Sequence, residues 1–179
     1  MNQTNNHKQI SDAINILVAL GMPRAQQNER SALCLLALLN LTPDKKWKNS
    51  EKPLMGITPI MDWAREHYQK DYAPNTRETV RRQTMHQFVE AGIALYNPDK
   101  PDRPVNSPKA VYQIEDTVLE LLCSFGTSAW HDNLTSYLAD RETLAARYAM
   151  EREQNRVPVK IAKGKEITLS PGEHSELIR

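Results

Sequence analysis

Pro74-Asn75-Thr76-Arg77-Glu78-Thr79-Val80-Arg81-Arg82-Gln83-Thr84-Met85-His86-Gln87-Phe88-Val89-Glu90-Ala91-Gly92 is the stretch that decides the fold. Asn75 followed three residues later by Glu78 is a capping-box pattern, so a helix is expected to open at Thr76 with Asn75 as its cap. It runs to Ala91, and Gly92 stops it. Stepped at about 100° per residue, Val80, Met85, Phe88, Val89 and Ala91 occupy one half of the wheel. Thr76, Thr79, Arg82, Gln83, His86 and Glu90 occupy the other. Arg82 stands near the centre of the polar half. Arg77 and Arg81 fall in the apolar arc, and Arg81 is expected to reach round to a phosphate or an internal carboxylate.

Working upstream, Thr58-Pro59 reads as a capping hydroxyl with proline at the first helical position, opening a helix to about Gln69. Before it, residues 42–57 form a loop with Lys45, Lys46, Lys48 and Lys52. Residues 29–41 read as a helix apolar almost all round from Ala32 to Leu41, hence buried on several sides, with Asn28 as cap and Pro43 beyond. Residues 8–20 read as a first helix ended by Gly21.

Downstream, Ile93 to Tyr96 and Ala110 to Ile114 are strand-like runs joined by a loop holding Pro98, Pro101, Pro104 and Pro108. Helices are expected over 115–124 and 128–154. Residues 157–161 and 166–169 flank Lys163-Gly164-Lys165 as a small hairpin. Helix, short turn, helix, then two strands around an exposed loop is the order of a winged helix-turn-helix. The fold class is therefore mainly α with small β-hairpins: a winged helix-turn-helix-like domain over 1–114, a helical extension over 115–155, and a hairpin opening a further domain over 156–179.

The chain of 179 residues has 23 Lys or Arg and 22 Asp or Glu, a net charge of +1, which excludes a polycationic tail. The charge is unevenly spread. Residues 1–114 hold 15 basic and 11 acidic residues, net +4; residues 115–155 hold 3 and 8, net −5; residues 156–179 hold 5 and 3, net +2. Contact with a polyanion is thus expected on the first two-thirds. Mean hydropathy is −0.62, and no run approaches the roughly 20 apolar residues of a membrane helix. Cys34 and Cys123 lie in Leu-rich stretches and read as reduced, buried thiols of a cytoplasmic protein.

The polar face of the 76–91 helix suits duplex DNA. Arginine pairs with guanine O6 and N7, glutamine with adenine N6 and N7, and threonine offers a hydroxyl and a methyl. Thr79, Arg82 and Gln83 are the expected base readers, with Asn75, Thr76, Arg77 and His86 in support. In the wing, Lys100, Arg103 and Lys109 are placed to lie along the backbone. No glycine-rich phosphate loop or nucleophile elbow occurs, and the five histidines lack ligand spacing. Neither Pro98-Asp99 nor Pro101-Asp102 is followed by the Asp/Glu-x-Lys pair that a metal-dependent nuclease needs. No catalytic or metal-binding residue is assigned.

Gly56-Ile57-Thr58-Pro59-Ile60-Met61-Asp62 and Lys70 through Thr84 together resemble the PstI/BsuBI family of type II restriction endonucleases. So do Arg30-Ser31-Ala32-Leu33, Pro104-Val105-Asn106-Ser107-Pro108-Lys109 and Leu169-Ser170-Pro171-Gly172. The resemblance implies a helix-turn-helix-type DNA-binding region at the N-terminus and a Mg²⁺-dependent nuclease core C-terminal to it. It also implies a palindromic target, CTGCAG, and a homodimer. DNA contact carries over to positions within Asn75–Gln83. No catalytic residue does. Ser170-Pro171-Gly172-Glu173 reads as a helix start cut short at Arg179, as in a piece of a longer protein. Two other readings stay open on the residues alone: a free-standing winged-helix regulator, and a helical dimerisation module that does not bind DNA.

Overall fold

The computed structural model describes the backbone of residues 2–154, 157–161 and 165–169, and side chains over 3–142. The chain divides into two compact units, Met1–Asn133 and Leu134–Arg179.

The core of the first unit is α2 (Glu29–Leu38). Every residue from Ser31 to Leu38 is buried. A helix apolar all round needs neighbours on several sides. α1 (Asn2–Ala19) packs on one flank, α3 (Ile57–Tyr68) on another, and the helix that follows α3 on a third. Asn28 caps α2 as expected, its Oδ1 accepting from the Ser31 N–H at 2.9 Å. The helix ends three residues earlier than its apolar run. Asn40 takes a left-handed turn at φ 46°, with Asn40 N–H bonded to Ala37 O and Leu41 N–H to Leu36 O. This is a Schellman stop built on asparagine, not glycine. α1 starts six residues before the apolar stripe announces it, because its polar first turns are tied down elsewhere. Asn6 Nδ2 donates to Gln69 Oε1, and Gln9 Nε2 to Lys45 O.

α3 also starts before its expected cap. Gly56 is the cap and Ile57 the first helical residue, with Ile57 4% exposed. Burying Ile57 draws the helix start back, so Pro59 stands third, still within the turn where its missing N–H costs nothing. Gly56 passes so close to the strand region that a Cβ there would meet Ala110 O at 3.2 Å.

Residues 76–90 are helical, but not one regular α-helix. α4 (Thr76–Thr79) passes into a π-helical segment, Val80–Met85, and then into α5 (His86–Glu90). His86 N–H bonds to Arg81 O, five residues back. On a 3.6-residue wheel Val80 and Met85 lie about 140° apart. An i→i+5 turn stacks them instead, and Val80, Thr84, Met85 and Phe88 are all fully buried, at 1% exposure or less. The expected capping box does not form. Asn75 is already helical (φ −69°, ψ −15°) with no side-chain cap bond. The N–H groups of Thr76 and Arg77 are taken by Ala73 O and Pro74 O, so the turn before the helix satisfies the donors a cap would serve.

Gly92, at φ 73°, ends the helix in a Schellman turn, with Ile93 N–H bonded to Phe88 O. β1 (Ala94–Tyr96) then pairs antiparallel with β2 (Tyr112–Ile114), Ala94 opposite Ile114 and Tyr96 opposite Tyr112. Met55, just before α3, exchanges both backbone bonds with Tyr112 and adds a third short rung. The winged order is thus helix, bridge, helix, helix, strand, wing, strand. α6 (Asp116–Cys123), capped by Glu115, buries Val118, Leu121 and Leu122. α7 is Trp130–Gln154. Taken alone, the second unit contains β3 (Val157–Ile161) paired antiparallel with β4 (Lys165–Leu169). The expected helix start at Ser170 lies outside the described residues.

Candidate nucleic-acid interface

The helix over 76–90 presents Glu78, Arg82, Gln83, His86 and Glu90 to solvent, while Val80, Thr84, Met85 and Phe88 bind it to the core. Phe88 and Met85 fix its height, and the π turn fixes its rotation. Arg82 is wide open, with a side chain 75% exposed.

Glu78 gathers three arginines. Arg81 grips it with Nη2 at 2.9 Å and Nε at 3.3 Å; Arg82 Nε lies at 3.4 Å and Arg77 Nη1 at 3.8 Å. Hydrogen bonds from Arg81, then the charges of Arg81, Arg82 and Arg77, hold the Glu78 carboxyl below the usual carboxylate range. Arg77 also donates from Nε to Thr58 Oγ1 at 3.3 Å, tying the hydroxyl once expected to cap α3 to the next helix. One carboxylate against three guanidiniums leaves this turn cationic, with each fork held at a set place.

Opposite stands the wing, residues 97–111. Arg81, Tyr96, Val105 and Tyr112 line both of two adjoining clefts between helix and wing, of about 460 and about 280 Å³. Tyr96 and Tyr112 sit with ring centroids 5.2 Å apart. Val105, at 78% exposure, is the most open large apolar residue among those described.

The expected site residues fall into separate groups. Arg77 and Arg82 share the Glu78 cluster. Arg82 and His86 line the larger cleft, where His86 Nε2 lies 3.8 Å from Glu90 Oε1. Thr76 and Thr79 are half-buried on the first turn, and Asn75 is exposed just before it. Gln83 is exposed but leans away toward α2, its Oε1 accepting from Arg30 Nη2 at 3.5 Å. Lys100 and Lys109 are exposed on the wing. Arg103 turns inward. Its side chain is only 11% exposed, with Nη1 on Asn97 Oδ1 at 2.8 Å and Nη2 on Asp99 Oδ2 at 2.8 Å. The buried Asn97, at φ 50°, also accepts from Val111 N–H. Arg103 is thus the strut that closes the base of the wing.

Wheel reasoning missed Tyr96, Tyr112 and Val105, which only a folded wing brings to the helix. It also missed Arg30 and Gln26. The sequence signal for Arg30 was its place in the block Arg30-Ser31-Ala32-Leu33, at the start of an otherwise mostly apolar helix. Among the described residues, no three His, Cys, Asp or Glu gather where they would hold a metal ion, and no helix is long and apolar enough to cross a membrane.

The family described as BsuBI/PstI restriction endonuclease HTH domain matches residues 7–146. Type II restriction enzyme BsuBI of Bacillus subtilis is 63% identical over 173 residues, covering 97% of this chain and 55% of that protein. Type II restriction enzyme AplI of Arthrospira platensis is 37% identical over 179 residues, covering 99% of this chain and 55% of that protein. The structure of SdaI restriction endonuclease superposes with a TM-score of 0.69 at 34% identity, over 92% of this chain and 52% of that one. The chain spans about half the length of these relatives. On sequence and on fold together, the chain belongs to the BsuBI/PstI restriction endonuclease HTH domain family.

Proposed function

We propose that this chain is the DNA-binding portion of a type II restriction endonuclease. The helix over 76–90 enters the major groove of duplex DNA, and the wing lies along the backbone beside it. The observation that carries this is the Glu78 cluster. It places Arg77, Arg81 and Arg82 side by side on one exposed helical turn facing the wing. Arg82 is the guanine reader and Thr79 a second base contact. Gln83 joins them on exchanging Arg30 for an adenine edge. Arg77, His86, Lys100 and Lys109 supply phosphate contacts, with Asn75 and Thr76 at the helix start.

The whole protein would then cleave a palindromic site, CTGCAG, as a homodimer in the cytoplasm. Its guanines and adenines match arginine and glutamine. The Mg²⁺ such cleavage uses finds no three-ligand group among the described residues, and no step through it is assigned to this chain.

The test is a titration of the chain with CTGCAG duplex and a scrambled duplex at several salt concentrations. Binding should weaken steeply with salt and favour CTGCAG. Arg82→Ala should cost about 1–3 kcal/mol on the preferred sequence and much less on the scrambled one. Salt-insensitive binding or none would overturn the DNA assignment. Salt-dependent binding without a preference for CTGCAG would leave DNA binding but remove that target.

A further inference from the structure

We propose that Gln26 and Arg30, which stand outside the DNA-facing surface, are positioning residues: together they hold the π-helical turn that sets which side chains of the 76–90 helix meet the bases. This deepens the DNA-binding function proposed above and rests on it.

Three bonds converge on two adjacent residues of that turn. Gln26 Nε2 donates to the backbone carbonyl of Gln83 at 3.1 Å. Arg30 Nε donates to Thr84 Oγ1 at 3.2 Å, and Arg30 Nη2 lies 3.5 Å from Gln83 Oε1. The donors come from two separate pieces of chain, the 3₁₀ turn Arg24–Gln26 and the first turn of α2. Gln26 is a polar side chain only 8% exposed, and Thr84 is fully buried. Polar groups are rarely buried without a partner, and these two are partnered with the one irregular turn of the helix.

A π turn is uncommon and is frequently found at functional sites. Gln26 brings a donor from outside the helix to the backbone carbonyl of Gln83, inside that turn, and so tethers the turn to the 3₁₀ segment. Arg30 adds rotational control through the buried Thr84 hydroxyl, a bond that stays in place when the Gln83 side chain turns to a base. If the turn relaxed to regular α-helix, Met85 would rotate off the Val80 line. Arg82 and Gln83, on one side of the turn, would shift in phase against His86 and Glu90 on the other. The brace thus decides the spacing of the base-reading face without touching DNA.

Gln26→Leu removes the donor while keeping most of the volume. Arg30→Lys keeps the charge but not the fork. Each variant of the 179-residue chain is read in two ways. Without DNA, the NMR coupling across the His86 N–H to Arg81 carbonyl bond reports the π turn directly. With DNA, preferred and scrambled duplexes are titrated over a range of salt. The coupling should vanish or weaken. The preference for one sequence should fall by up to about tenfold, the scale of one lost hydrogen bond. The salt slope should stay unchanged, since neither residue meets a phosphate.

An intact coupling in both variants would overturn the brace. A lost coupling with undiminished preference would overturn its role in readout. A coupling lost in the variants, beside a wild-type chain that shows no salt-dependent DNA binding, would leave the brace as a structural device and remove the readout with the DNA assignment itself. If Gln26→Leu fails to fold, Arg30→Lys carries the test alone.

Discussion

Replacing Glu78 by glutamine keeps the shape of its side chain and removes the one carboxylate that Arg77, Arg81 and Arg82 share. In the wild type that carboxylate competes with DNA for all three guanidiniums. It also repels the phosphates that approach them. With glutamine in its place, one further arginine becomes available as a full backbone contact. Each phosphate neutralised changes the slope of log affinity against log salt by about −0.9. The variant's slope should therefore steepen by about 0.9. Between about 50 and 200 mM salt, affinity should then fall roughly 3.5-fold further than in the wild type. Scrambled DNA at low salt should bind more tightly, and the ratio of preferred to scrambled affinity should shrink, because contacts to phosphate carry no sequence information. The assay is fluorescence anisotropy with both duplexes at four salt concentrations. A low pH should imitate the substitution. Arg81 and its neighbours hold the Glu78 carboxyl below the usual range, so the cluster is complete above that range and is lost as pH falls through the depressed value. Unchanged slopes on both duplexes would refute the view that Glu78 restrains these arginines.

Phe88→Ala should lower stability by about 3–5 kcal/mol in urea unfolding, since Phe88 is 0% exposed and anchors the helix; a loss under about 1 kcal/mol would show that the helix is held by other means. Burial pushes the Cys34 thiol up to about 12. The folded state keeps its proton where the unfolded chain gives it up, so stability should fall as pH rises from the ordinary thiol range toward 12, and Cys34→Ala should lessen that fall. A thiol reagent should reach the half-buried Cys123 in the native protein and Cys34 only on unfolding, as mass spectrometry of the labelled chain would read. In the wing, Arg103→Ala should speed proteolysis within residues 97–111 and weaken DNA binding with little change in salt slope. Lys100→Ala should leave the wing intact and flatten the slope by about 0.9.

What could be read from the residues was what local pattern dictates. The apolar surround of α2 announced a buried helix, Gly92 announced a stop, and the strand runs around the proline-rich loop announced the wing. Errors arose where a polar side chain had two possible partners. Asn75 and Glu78 spell a capping box, yet the turn at Ala73 and Pro74 already takes the first N–H groups. Glu78, relieved of the backbone, pairs with Arg81 and Arg82 at favourable helical spacing and with its neighbour Arg77. Asn28 had no such rival and caps as its sequence suggests. Arg103 shows the same competition in the wing. Asp99 lies four residues before it and Asn97 six, so an internal partner was within reach of the strut as well as DNA.

The π turn belongs to a different class of hidden feature. Nothing in Val80 through Met85 marks it, since every residue there is acceptable in an α-helix. Its cause lies some fifty residues upstream, in two polar side chains that reach the helix only after α2 has packed. Its benefit is also non-local. A regular helix would bury Val80, Thr84 and Phe88 but swing Met85 round toward Val89. The π turn buries all four residues on one line and so leaves Arg82 and His86 open together on the cleft beside the wing. Core packing and the spacing of the exposed face are thereby set by the same turn. A substitution that repacks the core at Met85 should therefore change DNA preference without touching an exposed residue. Met85→Leu, conservative in volume, separates the two effects: preference that shifts while the urea midpoint holds would link them, and preference that moves only in step with stability would break the link.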